Sequence, residues 1–421
     1  MRSKSKLLTL QSQSQIKIKR RKKTRSMKKR ILILLISSLV LTGCWDKREL
    51  DELAITMAIG VDESDAGYLV TAQVVVPLEV SIKGNTGNSP ITLFRAEGET
   101  IFEAIRKLAK IVPREIYPGH LRMLVISEAV AEKGIGEIVD FFSRNWETRS
   151  DFYVVVAKEM NAEEILNVSS PIETIPANSM FNMLNVAQET WSSTRGIHIN
   201  DLISDVGSNG KEAVVTGIEV IGDEELGSSK KNVETITPKA RLRLVDLGVF
   251  KEDKLVGWLT EEESIGYNTV TNQVKSSVTT LTCPQGGTMA IELIRANSEI
   301  KAKIINGTPE VEVKIKTEGN IAEVDCQIDL MKVENITMLE KLYSEKVKEA
   351  MQNSITTLQQ DFNADIFGFG EAVHRADAKV WKKLKQNWDQ EFSELQVNVK
   401  VDAKITQFGV IVNPIKIQKK E

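Results

Sequence analysis

The sequence predicts an α+β fold: three mixed α/β domains with antiparallel-rich sheets, preceded by a lipoprotein signal peptide. Three observations predict it. Short segments of alternating apolar residues, bounded by Gly, Pro, Asn and Ser, recur from residue 53 almost to the C-terminus. A Ser- and Pro-containing break at 169–176 separates two sets of such elements. In the last third of the chain strands come first and helices later, the order of a sheet packed on helices. The expected divisions are 1–43 for the signal, 44–52 for a lipid-anchored linker, 53–170 for an N-terminal α+β domain, 171–283 for a middle domain, and 284–421 for a C-terminal sheet with two long helices.

The N-terminal stretch is organised around Leu41-Thr42-Gly43-Cys44. Ahead of it lie the basic cluster Met27-Lys28-Lys29-Arg30 and the apolar run 31–40. A positive end, a short apolar core, small residues and a cysteine together read as a secretion signal that ends in a lipidation site. The 11 residues 31–41 fall well short of the roughly 20 needed to span hydrocarbon. Thr42 and Gly43 are small enough to enter a peptidase, so cleavage is expected after Gly43. Cys44 then heads the mature chain as an N-palmitoyl, S-diacylglycerol cysteine. More than one acyl chain matters because a single chain holds a protein only reversibly. Residues 1–26 are rich in Lys, Ser and Gln with no apolar core, and Met27 is the expected true start because it gives a signal of ordinary shape.

In the N-terminal domain, 53–61 and 67–77 are paired strands joined by a turn at 62–67, and 91–96 is a third strand. Residues 99–112 make a helix with Ile101, Ala104, Ile105, Leu108 and Ile111 on one face, ended by Pro113 and Pro118. Strands at 122–127 and 152–157 and helices at 136–144 and 162–168 follow. In the middle domain 180–191 is helical, 199–205 adds a turn, and strands occupy 213–221, 242–250 and 254–259. The charged segment 222–238 is expected to be a mobile loop. Thr260, with Glu263 three places on, marks the start of a helix over 260–268. The C-terminal domain opens on strands at 288–295, 298–305 and 310–318. Its longest helix covers 335–362, with Leu339, Leu342, Val347, Met351, Ile355, Leu358 and Phe362 as its apolar stripe. A second helix covers 371–392 and a last strand 395–408.

Composition excludes some functions. Of the 55 Lys and Arg, 13 lie in residues 1–43, which carry no acid, so the rest of the chain holds 42 bases against 58 acids. An acidic mature chain argues against nucleic acid as a partner, since phosphate binding needs a basic footprint. The histidines His120, His198 and His374 are isolated, without H-E-x-x-H spacing or paired cysteines for a metal. No G-x-S-x-G elbow or phosphate loop occurs. A non-enzymatic protein without metal or cofactor is therefore expected. Outside the cytoplasm Cys283 and Cys326 are permitted to pair, but Cys326 lies in a strand-like alternation where a buried thiol is equally natural, and unpaired thiols are expected.

One local pattern stands out between the two C-terminal helices, where Phe367 and Phe369 alternate with Gly368 and Gly370. The pattern suits an exposed contact patch for a partner, with Phe367 and Phe369 as the contact residues. It suits better a helix-breaking joint whose aromatics fill the core and whose glycines supply special backbone angles. Lys382-Lys383-Leu384-Lys385 makes a small basic face, fitted to anionic lipid heads or simply to solvent.

The opening Gly43-Cys44-Trp45-Asp46-Lys47-Arg48-Glu49-Leu50 resembles the G-C-W-D-x-R-E-L start of the germinant-receptor C-subunit lipoproteins, the Ger(x)C family of spore-formers. The likeness continues in order through Thr100-Ile101-Phe102-Glu103-Ala104-Ile105-Arg106, Gly119-His120-Leu121 and Lys254-Leu255-Val256-Gly257-Trp258-Leu259. It ends with the joint segment 363–371, then Val380-Trp381-Lys382-Lys383-Leu384 and Asn387-Trp388. The resemblance implies three mixed domains and a non-enzymatic subunit, lipid-anchored on the outer face of the spore's inner membrane. It also implies two membrane-embedded partners, an A-type subunit and a permease-like B-type subunit, and a nutrient response that triggers germination. It carries over no ligand-binding residues. The alternative, a solute-binding lipoprotein of a transporter, would show two similar lobes around an aromatic-rich cleft. Aromatics are only 5% of the chain, and no two-lobed repeat is visible.

Overall fold

The computed structural model describes residues 49–81, 86–284, 286–326 and 328–407. The expected signal, with Gly43 and Cys44, lies outside the described residues, as does Phe408 at the end of the last expected strand.

A 3-10 turn, Leu50–Glu52, precedes β1 (Leu53–Ser64), which turns at Asp65 and Ala66 into antiparallel β2 (Gly67–Val75). The short helix α1 (Pro77–Val80) follows, and β3 (Ile91–Gly98) pairs along the outside of β2. The remaining strands of this sheet are β4 (Glu115–Tyr117), β5 (Met123–Ser127), β6 (Tyr153–Ala157), β7 (Ile197–His198), β8 (Val214–Gly222), β9 (Ala240–Lys251) and β10 (Lys254–Trp258). The order is β10-β9-β8-β6-β5-β1-β2-β3, with β4 on β1 and β7 on β6. β1, β5, β6 and β8 run parallel at the centre, and antiparallel hairpins close both flanks. Every residue of β5 and β6 is buried, because a parallel strand covered on both faces must be apolar throughout.

Seven helices of this region are α2 (Ile101–Lys107), α3 (Glu128–Lys133), α4 (Gly136–Arg144), α5 (Ala162–Leu166), α6 (Pro176–Thr190), α7 (Ile199–Val206) and α8 (Glu224–Gly227). Leu124, Ile126, Val154 and Val156 face a core shared with Val130, Ile138, Phe142 and Leu202 from α3, α4 and α7. Met123, Val125, Tyr153 and Val155 face the opposite core, filled by Ile165 and Leu166 of α5 and Met180 and Leu184 of α6. Burying one such side chain contributes roughly 1.5–3 kcal/mol. Two buried polar side chains set the α5 end of this layer. Asp62 accepts hydrogen bonds from the Ala162 and Glu163 amides at 2.6 and 3.1 Å, capping α5 from β1. Gln73 donates to the Leu166 carbonyl at 2.9 Å and accepts from the Ala177 amide at 3.1 Å. It thus holds both sides of the break at Ser170, and β6 and β8, from either side of that break, pair in one sheet.

The segment expected to be a mobile loop, 222–238, instead contains α8 and α9 (Lys230–Glu234). Asn232 is fully buried there, donating to the Ser169 and Ala240 carbonyls and accepting from the Ala240 amide. α10 (Glu261–Val270) starts with the expected reciprocal cap between Thr260 and Glu263.

The C-terminal sheet has the order β11 (Val278–Thr282), β12 (Thr288–Ile305), β13 (Thr308–Val324) and β14 (Gln396–Gln407). The strands expected at 288–295 and 298–305 are one strand, because the pairing with β13 shifts register between Leu293 and Arg295 and continues. Asn306 and Gly307, both at positive φ, turn the hairpin. The crossover to β14, parallel to β13, is α11 (Val333–Thr357), α12 (Phe369–Ala376), α13 (Ala378–Leu384) and α14 (Trp388–Ser393). The single helix expected over 371–392 is therefore broken. Asp377 ends α12 in an extended conformation and caps α13 by accepting from the Lys379 and Val380 amides. The two cysteines expected to be free are joined: Cys283 and Cys326 form a disulfide with Cα atoms 6.3 Å apart. Pairing of β11, β12 and β13 brings the ends of the 43-residue separation together, in a core with Met289, Ile321 and Leu339.

Candidate functional site

The best-defined constellation of polar groups lies at the joint between α11 and α12. α11 passes into a π turn, Leu358–Phe362, and the chain reverses at Asn363 in the left-handed region. Two residues on, the Asp365 carboxylate is buried and accepts four hydrogen bonds. Gly368 and Phe369 amides donate to Oδ1 at 3.0 and 3.1 Å, and the Gly370 amide and Trp388 Nε1 donate to Oδ2 at 2.8 and 2.9 Å. The protein thus places its own anion at the start of α12, where unpaired amides and the helix dipole favour negative charge. Burial raises the Asp365 carboxyl to about 6, against the pull of those four donors.

Phe367 and Phe369 are not an exposed patch. They are 4% and 0% exposed, with rings stacked 4.9 Å apart. Gly368, at φ 75°, bends the chain so that both rings enter the core, where Phe369 meets Phe392 and Phe367 meets Tyr267. They fill the joint and offer no surface to a partner.

A loop after α7 closes on this joint. The Gly210 carbonyl accepts from the Glu371 amide at 3.2 Å, and the Glu212 amide donates to the Asp365 carbonyl at 2.8 Å. Gly210 and Gly370 touch backbone to backbone; a Cβ on Gly370 would stand 2.8 Å from Gly210 Cα, Trp381 Cη2 and Trp388 Nε1. Lys251 adds an ion pair to Asp389 at 2.8 Å and a hydrogen bond to the Asn363 carbonyl at 3.2 Å. Burial raises the Glu212 carboxyl to about 7; the Glu252 amide opposes the rise, and the Asp389 and Asp365 charges add to it. The joint is therefore a latch between the two sheets' regions, built from backbone bonds, a glycine contact and two perturbed carboxyls.

Beside the latch is a hollow of about 440 Å³, lined by Ser208, Gly210, Glu371, His374, Trp381 and Lys382 among others. A second hollow, about 340 Å³, lies among α10, β11, β12 and α11, with Trp191, Ile265, Val278 and Val347 on its walls. The three histidines stay apart. His198 stacks on Tyr153, His120 sits edge-on to Tyr117, and His374 stacks on Trp381. Among the described residues no group of three or more His, Cys, Asp or Glu is placed to hold a metal, and no helix is long and apolar enough to cross a membrane.

Sequence reasoning located the joint and missed its polar centre. Asp365 stands three places before Gly368 at a helix start, a cap signal that could have been read. Gly210 and Glu212 carry no such signal, because their role depends on a contact made about 160 residues away.

Comparison with known proteins covers nearly the whole chain. A family model for the C-terminal part of spore germination B3/GerAC-like proteins matches residues 246–409, and one for the spore germination protein N-terminal domain matches 46–220. Spore germination protein KC of Bacillus subtilis (strain 168) is 31% identical over 401 residues, covering 93% of this chain and 98% of its own. Spore germination protein A3 of the same organism is 25% identical over 389 residues, covering 91% and 98%. In fold, the chain is similar to the crystal structure of the GerBC protein, with a TM-score of 0.53 and 19% identity over 82% of this chain and 96% of that one.

Proposed function

The chain belongs to the Ger(x)C family of spore germination proteins, and from that premise we propose that it is the lipid-anchored C subunit of a nutrient germinant receptor. In this reading Cys44 carries the acyl chains after cleavage behind Gly43. The anchor holds the protein on the outer face of the spore's inner membrane, beside an A-type subunit and a permease-like B-type subunit. It works by assembly and not by catalysis, in keeping with the lack of any nucleophile–base or metal-ligand motif in the sequence.

The observation that carries the proposal is the end-to-end likeness to spore germination protein KC, 31% over 93% of this chain. Confinement supplies the mechanism. An anchored protein meets its neighbours at high effective concentration, so contacts too weak to hold in solution suffice at a membrane. The unlike sheets, ten-stranded and four-stranded, differ from the two similar lobes of a solute-binding lipoprotein and so favour the receptor reading.

The test is genetic and biochemical. In spores carrying Cys44→Ala, the protein should leave the membrane fraction and nutrient germination should be impaired; firm retention in the membrane overturns the lipid anchor. Removing the A-type subunit while keeping this chain should abolish the nutrient response, and an intact response overturns the receptor reading.

A further inference from the structure

The hollow beside the latch has a charge pattern that structural packing does not account for. Its buried lining residues are Gly210 and Trp381, and around them stand Asn209, Glu371, His374, Lys382 and Lys385. Its volume, about 440 Å³, is within the range of roughly 300–1,000 Å³ typical of small-ligand pockets.

The acid on the rim is already met. Glu371 accepts from the Ser208 hydroxyl at 3.3 Å and pairs with Arg375 at 3.6 Å. The two lysines are not. Lys382 and Lys385 are exposed and have no acid within ion-pair distance among the described residues. The neighbouring lysines on the same helix, Lys379 and Lys383, instead lie near the Asp377 carboxylate. Lys382 and Lys385 are three residues apart, close enough on a helical turn to repel each other. An anion between them removes that repulsion. Backbone amides cannot serve it, since Asp365 and the Gly210 carbonyl already take those at the start of α12.

We propose that this hollow binds a small soluble organic anion, its carboxylate or phosphate group held by Lys382 and Lys385 and its uncharged part seated on Trp381 and Gly210. A concave hollow suits a small molecule better than a flat bilayer, although a lipid phosphate offers the same head chemistry. A bound anion would bridge α13 to the 208–210 loop, and so tighten the latch.

The test uses the full chain purified in detergent, with tryptophan fluorescence and calorimetry as readouts. The probes are succinate, glycerol 3-phosphate and inorganic phosphate, against potassium chloride at matched ionic strength. At least one of the two organic probes should give saturable binding that chloride does not, and should bind more tightly than inorganic phosphate. Lys382→Ala with Lys385→Ala should weaken it about 10- to 100-fold, as expected for losing charge-assisted hydrogen bonds. Lys379→Ala with Lys383→Ala should leave it within about twofold, and both pairs should keep the wild-type circular dichroism and melting profile. No saturable binding by either organic probe, or equal weakening by both pairs, overturns the proposal. So does binding seen only with phosphatidylglycerol vesicles, which would make the lysines a membrane patch. None of these outcomes bears on whether the chain is a receptor subunit.

Discussion

Asp365 and Trp388, 23 residues apart, are joined by a 2.9 Å hydrogen bond from the indole Nε1 to a carboxylate oxygen that is sealed from water. The bond ties the start of α12 to the start of α14 across the break at Asp377. Asp365→Ala would leave the Gly368, Phe369 and Gly370 amides and the indole without their acceptor. A loss of about 3–5 kcal/mol is expected, since breaking a buried charged network from one side is costly. Trp388→Phe keeps most of the ring and removes one donor, so about 1–3 kcal/mol is expected. Urea unfolding of both variants checks the ranking, and a milder effect for Asp365→Ala than for Trp388→Phe would contradict it.

Asp365 and Glu212 also set a pH dependence. Both carboxyls bind a proton more tightly in the folded state, Asp365 at about 6 against an ordinary 3.8 and Glu212 at about 7 against 4.5. A raised folded value means that the native state holds more protons between the two values, so stability falls as pH rises through that window. For Asp365 the window runs from 3.8 to about 6, and for Glu212 from 4.5 to about 7. The protein should therefore be more stable at pH 5 than at pH 7.5, by on the order of 1 kcal/mol from Asp365 alone. Carboxylates held low, such as Glu312 at about 2, titrate below this range and do not oppose the trend. Glu212→Gln should flatten the slope of urea midpoint against pH between 5.5 and 7.5. A slope equal to that of the wild type would remove Glu212 from the account.

What was legible in the sequence was whatever is decided locally. Periodicity placed the helix Gly136–Arg144 at its observed bounds, and the Thr260 and Glu263 spacing gave a true reciprocal cap. What was not legible was decided by partners far along the chain. Segment 222–238 is charged and looks like a loop, yet it holds two short helices, and Asn232 bonds to three backbone groups at Ser169 and Ala240. Nor does local pattern reveal that Gln73, about 100 residues earlier, bonds to both sides of the break at Ser170. Phe367 and Phe369 showed the joint, while its centre, Asp365, is a polar residue among apolar ones and only its cap spacing could have marked it. Asp377, which splits the expected long helix, was equally readable as a cap.

The contact between Gly210 and Gly370 tests how tightly the latch is packed. A methyl group on Gly210 would meet the Glu371 nitrogen and Gly370 carbonyl carbon at 2.9 Å, and these are backbone atoms that cannot swing aside. Gly210→Ala should destabilise the protein by about 1–3 kcal/mol, the usual cost of overpacking. Gly307→Ala makes an informative contrast. Nothing lies within 4 Å of a Cβ there, so its cost comes from the positive φ alone and leaves the latch untouched. Limited proteolysis should accordingly open the 207–212 loop in the first variant and not in the second. Equal protection of that loop in both would show that the glycine contact does not hold the latch.

The Cys283–Cys326 bond gives the last prediction. Its stabilisation comes chiefly from limiting the unfolded chain, and the limit grows with the length of the closed loop. With cysteines 43 positions apart, the chain-entropy model gives about 4 kcal/mol. The pair is buried with Met289, Ile321, Ile328 and Leu339, so replacement by serine would add the cost of burying two hydroxyls. Alanine avoids that cost. Cys283→Ala with Cys326→Ala should therefore lower unfolding stability by about 3–5 kcal/mol, and dithiothreitol should reduce the wild type to nearly the same midpoint while leaving the variant unchanged. Urea unfolding with and without the reductant measures both. A wild-type midpoint indifferent to reduction would mean that the bond does not restrain the C-terminal sheet, and the shared loss under reductant is the outcome that ties the effect to the disulfide and not to the altered side chains.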